Sequence, residues 1–242
     1  MSPAALSLFQ LSDPALPIGG YAHSGGLETY VQAGVVRDRE TAEGFVREML
    51  TKNLRYTDAA LMALSYGAAS ASDREGLLEA DVLCEAVKLP KEIRQASQKL
   101  GMRLMKIFQG MAGSDAGRAM ADGVRKAGHM LSTYGQALLA KQTPGHYCVA
   151  FGVCAAALGI GLREALTGFY YNAAAGMVTN CVKLIPMGQQ DGQELLFSLQ
   201  SLIGELVEKG MEPDKEGVGV CNPGFDIRCM QHEQLYSRLY MS

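Results

Sequence analysis

The stretch PALPIGGYAHSGGLE, residues 14–28, gathers glycines, a histidine, a serine and a carboxylate in one short segment. A phosphate-binding loop would need the pattern G-x-x-x-x-G-K-[ST], and this stretch has no lysine. A serine nucleophile would need G-x-S-x-G on a strand-to-helix elbow, whereas Ser24 lies in AHSGG between predicted helices. The spacing instead predicts that Ser24 caps a helix starting near Gly25, with Glu28 in its first turn.

Histidine and cysteine are the side chains that could hold a transition metal. None of the four histidines, at positions 23, 129, 146 and 232, lies four residues from another, the spacing that brings two imidazoles to one ion on a helix. The pattern nearest to a ligand pair is Cys229-x-x-His232. Closed zinc sites take four ligands and catalytic ones three, so an independent site is not indicated. A weaker site shared across a symmetric dimer stays open.

The cysteines do not form a spacing pattern. The six of them lie far apart, mostly inside apolar helical segments, at positions 84, 148, 154, 181, 221 and 229. Reduced thiols in such segments behave as small hydrophobic groups. No disulfide framework is predicted.

The elements that must position these groups are helices. With 242 residues, 48% of them apolar and 19% charged, the chain fits one globular domain, residues 1–242. Alternating strand patterns are scarce, so we predict a single all-α domain, a bundle of roughly ten helices. The clearest period runs from Arg163 to Ile185. A further helix is predicted to open with Pro144 in its first turn, another to run from about Ala116 to Ala140, and the last long one from Gln193 to Glu208.

Charge and hydropathy exclude two classes of partner. The net charge of −3 and the pI near 5.8 give no broad basic face for nucleic acid or anionic lipid. No apolar run reaches the length of about 18 residues needed to span a bilayer, and the first residues lack the basic start of a secretion signal. We therefore expect a cytoplasmic protein that binds neither nucleic acid nor membrane.

The C-terminal segment, about residues 210–242, is predicted to be loose and polar at first. It ends in QHEQLYSRLYM, where tyrosines and leucines mix with charged residues. Such a segment either docks on its own bundle or is presented to a partner, since tyrosine and arginine dominate interface energies. Both alternatives stay open at this point.

Four separated segments carry a resemblance to a known family. They are LFQLSDPALPIGGYAHSGGLETYV, TPGHYCVAFGVCAAALGI, NCVKLIPMGQQDGQELL and QHEQLYSRLY. The chain resembles the UreF family of urease accessory proteins, in which these segments occur in the same order. The resemblance implies an all-helical homodimer with no enzymatic activity of its own. It would bind the accessory protein UreD, called UreH in some organisms, and the GTPase UreG, and would help deliver nickel to apo-urease.

The resemblance also implies two contact regions. The opening motif and the lysine-bearing helix end would meet the GTPase, through residues Gly19, Gly20, His23, Glu28 and Lys183. The C-terminal segment would meet UreD/UreH, through residues His232, Tyr236 and Arg238. On this interpretation the glycines let the backbone lie flat against the partner, with His23 and Glu28 exposed beside them.

Three hypotheses for the function stay open. The chain could gate or couple GTP hydrolysis to metal delivery, with no tightly bound cofactor and nickel bound only transiently. It could instead act as a GTPase-activating protein that supplies Arg228 or Arg238 to UreG. It could also be a metalloenzyme or nickel store that uses Cys229 and His232.

Overall fold

The computed structural model describes residues 2–112, 124–220 and 222–241, and the all-α prediction is confirmed, with no strand in these ranges. The α-helices are α1 Pro3–Leu11, α2 Leu27–Gln32, α3 Arg39–Glu48, α4 Asp58–Ala71, α5 Arg74–Val87, α6 Lys91–Ala112, α7 Val124–Leu139, α8 Tyr147–Ala157, α9 Leu162–Leu184, α10 Gln189–Ser198, α11 Gln200–Gly210 and α12 Pro223–His232. Within the described residues, no helix is both long and apolar enough to cross a membrane.

Helix α8 is the centre of the bundle. Every residue from Cys148 to Ala157 is buried, and α1, α4, α5, α6, α7 and α9 all contact this helix. A helix that is apolar on all sides must be enclosed in this way. Gly152 lets α4 approach closely, because a Cβ atom there would collide with the Met62 carbonyl oxygen and the Ser65 hydroxyl.

The start of α8 corrects one prediction. The helix begins at Tyr147, so Pro144 precedes it rather than occupying its first turn. The buried carboxylate of Asp81, on α5, accepts the backbone N–H groups of Gly145 at 2.7 Å and His146 at 2.9 Å. These donors are therefore satisfied by a side chain distant in sequence, which fixes the turn before the helix.

Helix α9 is the platform of the site. The period predicted from Arg163 to Ile185 matches the observed helix to within one residue at each end. Two of its amides hold the N-terminal segment in place, because Asn172 donates to the Ser12 carbonyl at 2.8 Å and Asn180 donates to the His23 carbonyl at 3.0 Å.

Two predictions about the C-terminal third are wrong. The predicted helix from Gln193 to Glu208 is two helices, α10 and α11, which meet at Leu199. The segment after Gly210 also contains α12, which begins with proline at its first position and buries Phe225, Cys229 and His232 against α2 and α6. The predicted start near Ala116 of the helix that runs to Ala140 lies outside the described residues, within which α7 ends at Leu139.

Candidate functional site

The opening loop, defined here as residues 13–26, depends on glycines for its path. Gly19 and Gly26 adopt φ values of 88° and 83°, which other residues rarely reach. A Cβ atom at Gly26 would collide with Sγ of Cys229, and Arg103 lies against Gly19 while donating to the Ile18 carbonyl at 2.9 Å. The glycines adopt the positive φ angles that the sequence predicted, and α12 and α6 pack against the loop at these two positions.

The prediction that Ser24 caps the next helix is wrong. Helix α2 begins at Leu27, and Gly26 occupies the capping position without a side-chain hydrogen bond. The Ser24 hydroxyl is buried and accepts the Glu28 N–H at 3.5 Å. The three consecutive positions Ser24, Gly25 and Gly26 made the cap ambiguous in the sequence, and the positive φ of both glycines moves the helix start two residues later.

Glu28 is buried rather than exposed, so the prediction of its exposure is wrong. Its side chain is enclosed by the C-terminal tail, defined here as residues 233–241, and the whole residue is only 4% exposed. Oε1 accepts the Leu239 N–H at 2.7 Å, and Oε2 accepts the Tyr240 N–H at 3.2 Å. The physical reason for its burial is that a carboxylate satisfies two backbone donors of a segment that has no secondary structure of its own.

His232 joins the same cluster from the end of α12. It is 1% exposed, with Nε2 at 3.2 Å from Glu28 Oε2 and Nδ1 at 2.6 Å from Glu92 Oε2. Glu92, at the start of α6, also accepts a hydrogen bond from Arg238 at 2.8 Å. Both ring nitrogens of His232 therefore face carboxylate oxygens.

The tail therefore docks on its own bundle, one of the two alternatives open from the sequence. Gln32 donates to the Ser237 carbonyl at 2.9 Å, and the Met241 N–H donates to the Ala22 carbonyl at 2.9 Å. Tyr236 is nevertheless fully exposed, and Leu239 is 67% exposed. Docking thus fixes the tail backbone while it presents apolar side chains to solvent.

A second group of predicted residues lies on the other side of the opening loop. A groove of about 310 Å³ between this loop and α9 is lined by Gly20, His23 and Lys183 together with Asn180. Lys183 is exposed in the last turn of α9, and His23 is half-buried. Burial, followed by the positive charges of Lys99 and Arg103, lowers the pKa of His23. The structure brings these predicted GTPase-face residues together and separates Glu28 from them.

The candidate metal ligands are engaged in the packing. Cys229 is buried against Gly26, and burial raises the pKa of its thiol, which disfavours the metal-binding thiolate. Both nitrogens of His232 face carboxylates. In the ranges that the structure describes, no group of three or more His, Cys, Asp or Glu side chains is placed to hold a metal ion. Metal binding by this pair stays a prediction.

The candidate arginines are also engaged. Arg238 pairs with Glu92, and Arg228 donates to the Gln231 side chain at 3.2 Å while its guanidinium lies 5.9 Å from the Tyr30 ring centre. Either arginine would have to leave these partners before it could reach a nucleotide on another protein.

Sequence reasoning missed Glu92 and Asn180, which complete the two halves of the site. Asn180 is the first residue of the segment NCVKLIPMGQQDGQELL, which carries the resemblance, and it lies three residues before Lys183. The sequence therefore contained a signal that could have identified Asn180. Glu92 had no such signal, because it lies 64 residues from Glu28 and 140 residues from His232.

The comparisons with known proteins agree on one family. The family model described as UreF matches residues 36–200, a span that excludes both the opening loop and the tail. The curated protein "Urease accessory protein UreF" of Actinobacillus pleuropneumoniae serotype 5b (strain L20) is 42% identical over 237 residues, 98% of each chain. The protein of the same name from Haemophilus influenzae strain Rd is also 42% identical, over 98% of this chain and 94% of its own. That from Bacillus sp. strain TB-90 is 32% identical over 98% of each.

Proposed function

The chain belongs to the UreF family of urease accessory proteins, and from this premise we propose that it is a non-catalytic assembly factor that organises nickel insertion into apo-urease. It acts as a cytoplasmic homodimer that binds UreD/UreH, recruits the GTPase UreG and docks the assembly on apo-urease. Nickel is the cargo of this assembly and is bound by the chain only transiently. The observation that carries the proposal is the docking of the C-terminal tail on Glu28, beside the opening loop.

The proposed UreD/UreH contact is the exposed side of the tail. Tyr236 and Leu239 are exposed there although the backbone around them is hydrogen-bonded to the bundle. Ordered apolar side chains lose less conformational entropy on binding than those of a free tail. Tyrosine in particular is enriched among the residues that dominate binding energy.

The proposed UreG contact is the groove on the other side of the opening loop. Lys183 supplies a cation there, and Gly20 and His23 bring the loop backbone beside it. The tail and the loop are distant in the sequence but adjacent in the fold, where the Met241 N–H donates to the Ala22 carbonyl. A partner that moves the tail would therefore change the loop that faces the GTPase.

This connection supports gating as the mechanism. In a gate, the chain binds two states of the GTPase with different affinities and so biases when metal leaves. The nucleotide and its chemistry belong to UreG, and the chain contributes position and timing. This chain is accordingly expected to hydrolyse no GTP when purified alone.

Reconstitution of the complex tests the proposal. The wild-type chain is co-expressed with UreD/UreH and UreG, and size-exclusion chromatography should recover all three together. The Lys183→Glu variant should fail to bind UreG and should still bind UreD/UreH, because the substitution reverses one charge in the groove and leaves the tail unchanged. Lys209→Glu is the matched control, since Lys209 is an exposed lysine in the last turn of another helix, α11.

Tyr236→Ala tests the other surface in the same assay. Truncation of a hot-spot tyrosine costs about 2 kcal/mol or more, so UreD/UreH binding should weaken by roughly 30-fold. Recovery of the full complex at wild-type affinity from both Lys183→Glu and Tyr236→Ala would contradict the proposed surfaces. Absence of any complex with the wild-type chain would contradict the proposed function.

A further inference from the structure

Two cysteines distant in the sequence are in direct contact in the core. Cys84 lies near the end of α5 and Cys148 in the first turn of α8, and their Sγ atoms are 3.6 Å apart. Both side chains are fully buried, and both thiols are free. A disulfide bond is about 2.05 Å long, so about 1.5 Å of movement, shared by two side chains, would join them.

The surroundings make the two thiols unequal. Burial raises the pKa of Cys84, but hydrogen bonds with Cys148 and His146 and the charge of Lys88 outweigh it, and the net effect is a lowered pKa. Burial, with the hydrogen bond to Cys84, raises the pKa of Cys148. Cys84 is therefore the thiol that loses its proton first, and the Cys148 S–H can then donate to the Cys84 thiolate. Thiolates are the nucleophiles of sulfur chemistry.

A cavity lies beside the residue that precedes Cys148. Lys88, Ser97 and Tyr147 line a cavity of about 270 Å³ beside the first turn of α8, and Tyr147 is the sequence neighbour of Cys148. The Lys88 side chain forms a buried ion pair with Asp58 at 2.7 Å on the wall of the same cavity. Both thiols are fully buried and neither lines this cavity, so a small oxidant would reach them only through a local opening of the surrounding side chains.

The other described cysteines lack this arrangement. Cys154 contacts the thioether of Met105 at 4.0 Å, and burial raises its pKa. Cys181 and Cys229 are also buried with raised pKa values, and no thiol among the described residues contacts them. Among the described cysteines, burial alone therefore does not bring two thiols into contact, and the contact is particular to Cys84 and Cys148.

We propose that Cys84 and Cys148 are a redox-active dithiol, which a peroxide converts reversibly into an intramolecular disulfide that joins α5 to α8. The Cys84 thiolate attacks one peroxide oxygen, the O–O bond breaks, and Cys84 becomes a sulfenic acid while water leaves after proton uptake. The Cys148 sulfur then attacks the Cys84 sulfur, loses its proton and expels a second water. One hydrogen peroxide is reduced to two waters as two thiols are oxidised to one disulfide.

Mass spectrometry of the full-length protein tests this inference. The reduced protein is freed of reductant, treated with hydrogen peroxide while folded, alkylated in denaturant and digested. The expected product is a peptide pair linked through Cys84 and Cys148, with an intact mass lower by two hydrogen atoms before alkylation. Dithiothreitol should restore both thiols. Alkylation of both cysteines in the treated protein, or linkage of either one to a different cysteine, would overturn the proposal.

Variants establish the order of the two steps. In Cys148→Ala the Cys84 sulfenic acid has no partner and should accumulate as an adduct with dimedone, whereas Cys84→Ala should give no adduct at Cys148. Cys154→Ala is the matched control, because it removes another buried thiol from α8 and should leave the Cys84–Cys148 linkage unchanged. The wild-type experiment decides the proposal even where a variant fails to fold, since it requires no substitution.

Discussion

Replacement of Glu28 by alanine should release the C-terminal tail while the helical core stays folded. The Glu28 carboxylate accepts the N–H groups of Leu239 and Tyr240 and lies within hydrogen-bond distance of His232. The alanine variant leaves the two backbone donors without their acceptor. The contacts of Ser237 with Gln32 and of Arg238 with Glu92 still hold the tail before these positions, and the Met241 bond to Ala22 holds it after them. The expected defect is therefore local opening rather than global unfolding.

The magnitude follows from the number and type of hydrogen bonds lost. A hydrogen bond to a charged group contributes about 1.5 to 3 kcal/mol, and two such bonds to the backbone are lost. Even at the lower end, about 3 kcal/mol of local stability disappears, and each 1.4 kcal/mol corresponds to about tenfold in an equilibrium. Amide exchange at positions 239 and 240 should therefore become at least about 100-fold faster.

Hydrogen exchange with mass spectrometry of the C-terminal peptide measures this effect. Glu233→Ala is the matched control, because Glu233 is the exposed first residue of the tail, directly after α12, and is not the acceptor of the Leu239 and Tyr240 N–H groups. The control should exchange like the wild-type protein. Equal protection of positions 239 and 240 in Glu28→Ala and wild type would show that the carboxylate does not hold the tail, and the account of the site would fail.

Three further predictions concern the core and the candidate arginine. Gly152→Ala should destabilise the fold by about 1 to 3 kcal/mol in urea unfolding, because the added Cβ atom has no space. Gly176→Ala should stabilise α9 by about 0.5 to 1 kcal/mol, because the space around Gly176 is open. Asp58→Ala should cost about 3 to 5 kcal/mol, because it leaves the Lys88 ammonium buried without its partner. Burial raises the pKa of Asp58, but the charge of Lys88 lowers this pKa overall. The stabilisation that depends on the ionised Asp58 carboxylate should therefore be fully present above about pH 4 and be lost as the pH falls through the lowered pKa. Arg238→Ala should leave single-turnover GTP hydrolysis by UreG unchanged in the assembled complex; a loss of about 1,000-fold would support the arginine-finger alternative instead.

The helices could be predicted from the sequence wherever their signals were local. The period of α9 was visible over its whole length, because a series of buried residues lies three or four positions apart: Leu166, Tyr170, Ala174, Val178 and Cys181. Helix α12 shows why the rest was missed. Phe225, Cys229 and His232 have helical spacing, but a histidine and a cysteine at buried positions do not read as an apolar face. The break at Leu199 was missed for the opposite reason, since apolar residues continue on both sides of it.

The site was less predictable than the fold, because its key contacts join distant parts of the chain. Glu28 follows two glycines at the start of a short helix, where a carboxylate is ordinarily exposed to solvent. Its burial depends on the tail, more than 200 residues later, and no local pattern records that pairing. The same holds for Cys84 and Cys148, whose wide separation argued against a pair in the sequence. Spacing along the chain has no bearing on contact once α5 and α8 are adjacent.

Burial of Glu28 and exposure of Lys183 divide the predicted GTPase face into two kinds of residue, and this division can be tested. Lys183→Glu should reduce UreG recruitment while hydrogen exchange in the tail stays at the wild-type level, because Lys183 lies on the surface of α9. Glu28→Ala should affect both measurements, since a buried carboxylate reaches a partner only through the loop and tail that it holds. If Glu28→Ala reduced UreG recruitment with the tail fully protected, Glu28 would have to contact the GTPase directly, and the structure would have to open to allow it.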